Sequence, residues 1–112
     1  MPSLNAANAY RKVATYRSNR EQEADVFWRV NAKLRRSVDN RMEAARALAD
    51  NERLWITVMD VLSDPSNRLP ADTRAAMLSI GHVVRREVRA PEPDLAFLIG
   101  INEQIGAGLA GA

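Results

Sequence analysis

Residues 41–70, RMEAARALADNERLWITVMDVLSDPSNRLP, carry the reading that decides the fold. On a helical wheel centred on Trp55, the residues Ala44, Leu48, Asn51, Glu52, Val58, Met59 and Leu62 share one side. Ala47, Leu54 and Val61 extend that side along one flank, and Ala45, Ala49 and Ile56 along the other. Only Arg46, Asp50, Arg53, Thr57 and Asp60 remain as a narrow polar stripe. A surface helix usually shows an apolar arc of roughly 100°, and this one shows about twice that, so several elements are expected to pack around it. The stretch therefore predicts a central helix over about 41–63. Its end is equally marked: Asp64-Pro65-Ser66-Asn67 is rich in turn formers, Pro65 cannot continue a helix, and Leu69-Pro70 restarts one.

Working back from this helix, Asn40 stands three residues before Glu43, the spacing of a capping box. The preceding segment, about Arg20 to Val38, aligns Ala24, Phe27, Val30, Asn31, Leu34 and Val38 on one face, with Val26 and Trp28 on opposite flanks. The short connection predicts antiparallel neighbours. Ser18-Asn19-Arg20-Glu21 has capping-box spacing too, which separates off a short N-terminal helix within residues 1–19. That helix has a thin apolar side of Ala6, Tyr10, Val13 and Ala14, and short isolated helices are marginal, so it is expected to be mobile.

Working forward, the helix after Pro70 places Thr73, Met77, Ile80, Val84 and Val88 on one face with Leu78 beside them. Gly81 lies near that face and costs roughly 1 kcal/mol against Ala unless a close helix approach offsets it. Arg85, Arg86 and Arg89 crowd the end of this helix, where its dipole favours cations. Ala90-Pro91-Glu92-Pro93 breaks the chain, and a last helix from about Pro93 aligns Leu95, Leu98, Ile99, Asn102 and Ile105 and extends to Leu109. The Gly- and Ala-rich tail 106–112 is expected to fray. The expectation is an all-α fold, one domain over 1–112, built as a single small bundle of about five helices around the central one.

With 112 residues, 46% of them hydrophobic and 27% charged, the chain can bury one core, and its composition is that of a globular rather than a disordered protein. It contains no Cys, which excludes disulfides, thiolate metal sites and a Cys nucleophile. No apolar run approaches the roughly 20 residues of a spanning helix, and the N-terminus lacks a signal-peptide core, so a cytoplasmic location is the expectation. A net charge of +2 does not by itself announce a nucleic-acid partner.

Chemistry is sparse. His82 is the only histidine and falls on a polar side with Ser79 and Arg86, so it forms neither a metal site nor half of a catalytic pair. The five glycines form no phosphate-cradling loop. The carboxylates sit at helix starts or in spaced pairs with arginine, as in Arg46, Asp50 and Arg53. No catalytic residue, metal site or cofactor is expected, and the chain reads as a non-enzyme. The unusual residues are Asn31, Asn51 and Asn102, each on an otherwise apolar face. A buried amide without partners costs about 1–3 kcal/mol, so these are expected to bond across helices or to a loop. At least one of Asn51 and Asn102 is expected to bond backbone near a helix end or in the Asp64 to Leu69 loop. Polar core positions that fix register are the leading reading, and a direct ligand role is the other.

Together, Ala9-Tyr10, Asn51 with Leu54-Trp55, Asp64-Pro65 with Asn67, Leu69-Pro70 with Arg74, and Leu98-Ile99-Gly100-Ile101-Asn102 with Ile105 and Gly108-Leu109 resemble, in order and spacing, the FlaF family of bacterial flagellar proteins. The chain departs from the family pattern at Gly81-His82, where a larger or aromatic residue is common. The resemblance implies a cytoplasmic role in flagellum assembly: a partner or secretion chaperone of flagellin that couples its synthesis to export, acting alongside FlbT. Flagellin's terminal segments are amphipathic, and a helix-in-groove contact would cover their apolar faces.

Two surfaces are candidates for that contact. One combines Tyr10, Val13 and Tyr16 with Val26 and Trp28, residues that otherwise complete the core between the first two helices. The other is the last helix around Phe97 and Ile101. The alternative function is an RNA-binding regulator of flagellin message, using Arg11, Lys12, Arg17 and Arg20 interleaved with Tyr10 and Tyr16, or the cluster of Arg85, Arg86 and Arg89. Against it stand the nearly balanced charge and the absence of an RNA-binding motif.

Overall fold

The computed structural model describes the backbone of residues 4–111 and the side chains of residues 21–110, together with Ala7. Four helices follow one another: α1 (Leu4–Arg36), α2 (Arg41–Ser63), α3 (Ala71–Val88) and α4 (Leu95–Gly111). No strand occurs among the described residues. The all-α class holds, while the expected five helices are four, because the two N-terminal ones are continuous. The physical reason lies in the sequence of α1. It contains neither Gly nor Pro from Leu4 to Arg36, and Ser and Asn inside a helix cost only tenths of a kcal/mol against Ala. The Ser18 to Glu21 spacing therefore passes inside a helix instead of starting one.

The other boundaries follow their local chemistry. Asn40 caps α2, its Oδ1 accepting the Glu43 backbone N–H at 3.0 Å. At the far end Asp64 Oδ1 accepts both the N–H and the hydroxyl of Ser66, at 2.8 and 2.6 Å. Those two bonds, the hydroxyl first, hold the Asp64 carboxyl below its ordinary pKa. Asn67 closes the turn from both sides. Its Nδ2 donates to the Val61 carbonyl and its Oδ1 accepts the Leu69 N–H. Pro70 is the N-cap residue of α3, and Asp94 Oδ1 accepts the Phe97 N–H to cap α4.

Contacts fix the arrangement. Lys33 pairs with Asp50 at 3.1 Å and Phe27 meets Trp55, so α1 and α2 run antiparallel. Gly81 lies against Met59 and Arg89 pairs with Glu52 at 3.0 Å, so α3 runs antiparallel to α2. Asn31 bonds the Ile99 carbonyl while Phe27 and Trp28 lie against Gly106, so α4 runs antiparallel to α1. The most extensive interface is α1 with α4, followed by α2 with α3 and then α1 with α2. Thus α2 is shared by α1 and α3, and α4 reaches it mainly through side chains at Trp55.

The core gathers Phe27, Val30 and Leu34 from α1, Ala47 and Trp55 from α2, Val84 from α3 and Leu98 from α4. The apolar arc of α2 is narrower than the wheel suggests. Val61 is 59% exposed, and Ala45 and Ala49 are exposed as well, because α3 and α1 cover only the two nearer flanks. Val38 is likewise exposed, since α1 has ended before it. The tail expected to fray from Gly106 is helical through Gly111. Gly106 is buried, and a Cβ there would stand 3.1 Å from the Trp28 ring, so its lack of a side chain is what lets α4 approach α1.

Candidate functional site

Two features stand out, one sealed in the core and one open to solvent. The sealed one joins three helices. Asn31, Asn51, Asn102 and Trp55 are all fully buried. The Trp55 indole N–H is a donor only and donates to Asn102 Oδ1 at 2.9 Å, which fixes the orientation of the Asn102 amide. Asn102 Nδ2 then donates to Asn31 Oδ1 at 3.0 Å and to Asn51 Oδ1 at 2.6 Å. With its oxygen committed, Asn31 turns its Nδ2 to the Ile99 carbonyl at 3.1 Å. Asn51 Nδ2 is left buried without a partner among the described residues. The expectation that Asn51 and Asn102 are buried and bonded is met, but their partners are one another's side chains and Trp55. The bond to backbone comes from Asn31, and the Asp64 to Leu69 loop is served by Asn67.

The open feature is a groove of about 310 Å³ between α3 and α4, lined by Ser79, Ile80, Val83, Phe97, Ile101, Gln104 and Ile105. It lies where the bundle has no extensive interface, since α3 packs on α2 and α4 on α1. Val83 is 39% and Phe97 42% exposed, while Ile80, Ile101 and Ile105 are half-buried along its floor. The single charge on α4, Glu103, is engaged by Arg35 of α1 and does not line the groove. A second hollow, of about 290 Å³ between α1 and α2, is lined by Lys33, Arg36, Glu43, Arg46, Ala47 and Asp50. Within it Lys33 pairs with Asp50, which Arg53 also binds.

The structure divides the residues that the sequence put forward for a partner. Phe97 and Ile101 come together in the groove. Val26 is exposed on α1, and Trp28 packs its ring edge against Gly106 while staying 37% exposed, so neither lines the groove. Tyr10, Val13 and Tyr16 lie on α1 with side chains outside the described residues. Of the motif residues, Asn51, Trp55 and Asn102 form the buried cluster, Leu54 packs at the edge of the core, and Asn67, Leu69 and Pro70 shape the turn into α3. Arg74 is half-buried in the first turns of α3, its Nε without a partner among the described residues. Sequence reasoning missed Ile80, Val83 and Ile105 as companions of Phe97. The available signal was the lack of charge on α4, which leaves its solvent side without the usual polar face.

These features define a small helical protein with an amide-pinned core and one unfilled apolar seam. No cluster of metal-ligating side chains occurs among the described residues, and no helix is long and apolar enough to cross a membrane. The chain belongs to the FlaF family: the family model described as Flagellar protein FlaF matches residues 6–109, nearly its whole length. No curated protein and no solved structure matches it.

Proposed function

We propose that this chain is a non-catalytic flagellum-assembly factor that binds flagellin in the cytoplasm as a secretion chaperone and couples its synthesis to export. The observation that carries the reading is the groove between α3 and α4 in a member of a flagellar family. An amphipathic flagellin segment would lay its apolar stripe against Val83, Phe97, Ile101 and Ile105, the helix-in-groove mode of peptide recognition. The α4 wall offers no charge to that stripe. The alternative, binding of flagellin message, finds less support. Arg89 is engaged by Glu52 and Arg85 is half-buried, which leaves Arg86 as the exposed member of that cluster without an ion pair among the described residues.

The test is co-purification of this chain with full-length flagellin and with flagellin lacking either end. Capture is expected to be lost with one truncation. Phe97→Ser combined with Val83→Ser changes exposed side chains and should leave the fold intact while reducing capture by at least about tenfold, as aromatic anchors do at such interfaces. Capture that survives this variant and is lost in Trp28→Ser would move the site to α1. Capture of message instead of flagellin would replace the reading with the RNA one.

A further inference from the structure

The four helices are not held equally. The buried amide cluster ties α1, α2 and α4 together through Asn31, Asn51, Trp55 and Asn102, and α3 contributes nothing to it. Among the residues of α3, only Gly81 and Val84 are buried. One of its buried positions, Gly81, lies against the flexible side chain of Met59. The ion pair made to α2 just past the end of α3, Arg89 with Glu52, is largely exposed on the arginine side. Two of the buried polar atoms without a partner among the described residues, Arg74 Nε and Arg85 Nε, belong to α3. The connections on either side, Asp64–Pro70 and Arg89–Asp94, each contain two prolines and bond mainly within themselves or to the adjoining helix end. Across the groove, α3 faces α4 without an extensive interface.

We infer that α3 is a hinged flap: it undocks from α2 as a unit about these two connections and so widens the groove, while α1, α2 and α4 stay fixed by the amide cluster. An element held through one extensive interface can open below the global unfolding free energy, and α3 has α2 as its one extensive partner and two buried residues, Gly81 and Val84. The flap itself stands on the packing of this chain alone; its use, admitting a helix longer or bulkier than the resting groove accepts, rests on the flagellin reading.

Native-state hydrogen exchange on the full chain tests the flap without any partner. The amides from Ala75 to Val88 should exchange together, at least about tenfold faster than the slowest amides of α2 and α4. Amides of α3 that share the slowest rates of α2 overturn the inference. A clamp gives the second measurement. An ideal Cβ at Gly81 stands 2.7 Å from Met59 Cγ, the place a sulfur at position 59 would take, so Met59→Cys with Gly81→Cys is positioned for a disulfide in a chain with no other cysteine. Oxidation should slow α3 exchange to the level of α2, and reduction should restore it. Exchange that is unchanged between the two forms also overturns the flap. Flagellin capture by the reduced but not the oxidised form supports coupling of the flap to docking, whereas equal capture by both overturns that coupling. Capture by neither form nor by the native chain strikes at the flagellin reading and leaves the exchange result standing.

Discussion

Trp55 carries more of the fold than any other side chain described. Its ring is fully buried, meets Phe27 edge-on with centroids 5.9 Å apart, and spends its only donor on Asn102. Trp55→Ala removes the largest buried side chain and strands the Asn102 oxygen, so a loss of roughly 3–5 kcal/mol is expected in denaturant unfolding. That is a large share of a small domain's stability. The asparagines allow a finer comparison. Among the described residues Asn102 makes three side-chain bonds, to Trp55, Asn31 and Asn51, whereas Asn51 makes one and leaves its own amide nitrogen unpaired. Asn102→Ala should therefore cost clearly more than Asn51→Ala, by about 1–2 kcal/mol, because it leaves more buried groups unsatisfied. Equal losses in parallel unfolding curves would show that the cluster does not work as this bonding pattern implies. Burial of all three asparagines was legible from the wheel, since each sits among apolar neighbours at helical spacing. Their mutual bonding was not, because residues 31, 51 and 102 meet only once three helices have packed.

At the scale of elements, what the chain made legible was where helices stop when a residue enforces the stop. Asn40, Asp64-Pro65 and Asp94 mark boundaries that the structure keeps. The capping spacing of Asn40 to Glu43 recurs at Ser18 to Glu21 and marks no boundary there, and since neither stretch contains Gly or Pro, the spacing alone does not decide where a helix starts. The groove was legible only in part: Phe97 and Ile101 share a helix face in the sequence, but that Ile80 and Val83 lie opposite depends on how α3 is hung from α2. The tie between those two helices can be titrated. The hydrogen bond from Arg89 depresses the Glu52 pKa, burial opposes it, and the charges of Arg89 and Arg85 add lesser depressions. A carboxyl depressed in the folded state contributes stability above its unfolded pKa and loses it as pH falls through the lower folded value. The contribution of the Glu52 to Arg89 pair should thus be present at neutral pH and disappear on acidification below the ordinary carboxylate range. In Glu52→Gln the difference from the native chain should shrink over that same acid interval. A constant difference from neutral to acid pH would show that the pair does not couple to folding.

At the scale of the whole molecule the shape is that of a rod: extents of 62 × 30 × 18 Å and a radius of gyration of 16.9 Å. A globular chain of this length would have a radius of gyration near 13 Å. One helix of 33 residues accounts for most of the length, spanning about 50 Å at about 1.5 Å per residue. Such a form exposes much surface for its mass, and two kinds of surface compete for a functional role: an uncharged apolar seam, and arginines spread over a chain with net charge +2. Salt separates them. Binding driven by phosphate contacts releases counterions and weakens steeply as salt rises. Burial of an apolar stripe releases no such ions and is strengthened, if anything, by excluded salts. Flagellin capture measured from about 50 to 500 mM salt should therefore change by less than about threefold, with the Phe97→Ser, Val83→Ser variant weak throughout. Capture that falls by orders of magnitude over that range, in parallel for native chain and groove variant, would assign the interaction to the arginines and leave the groove without its proposed occupant.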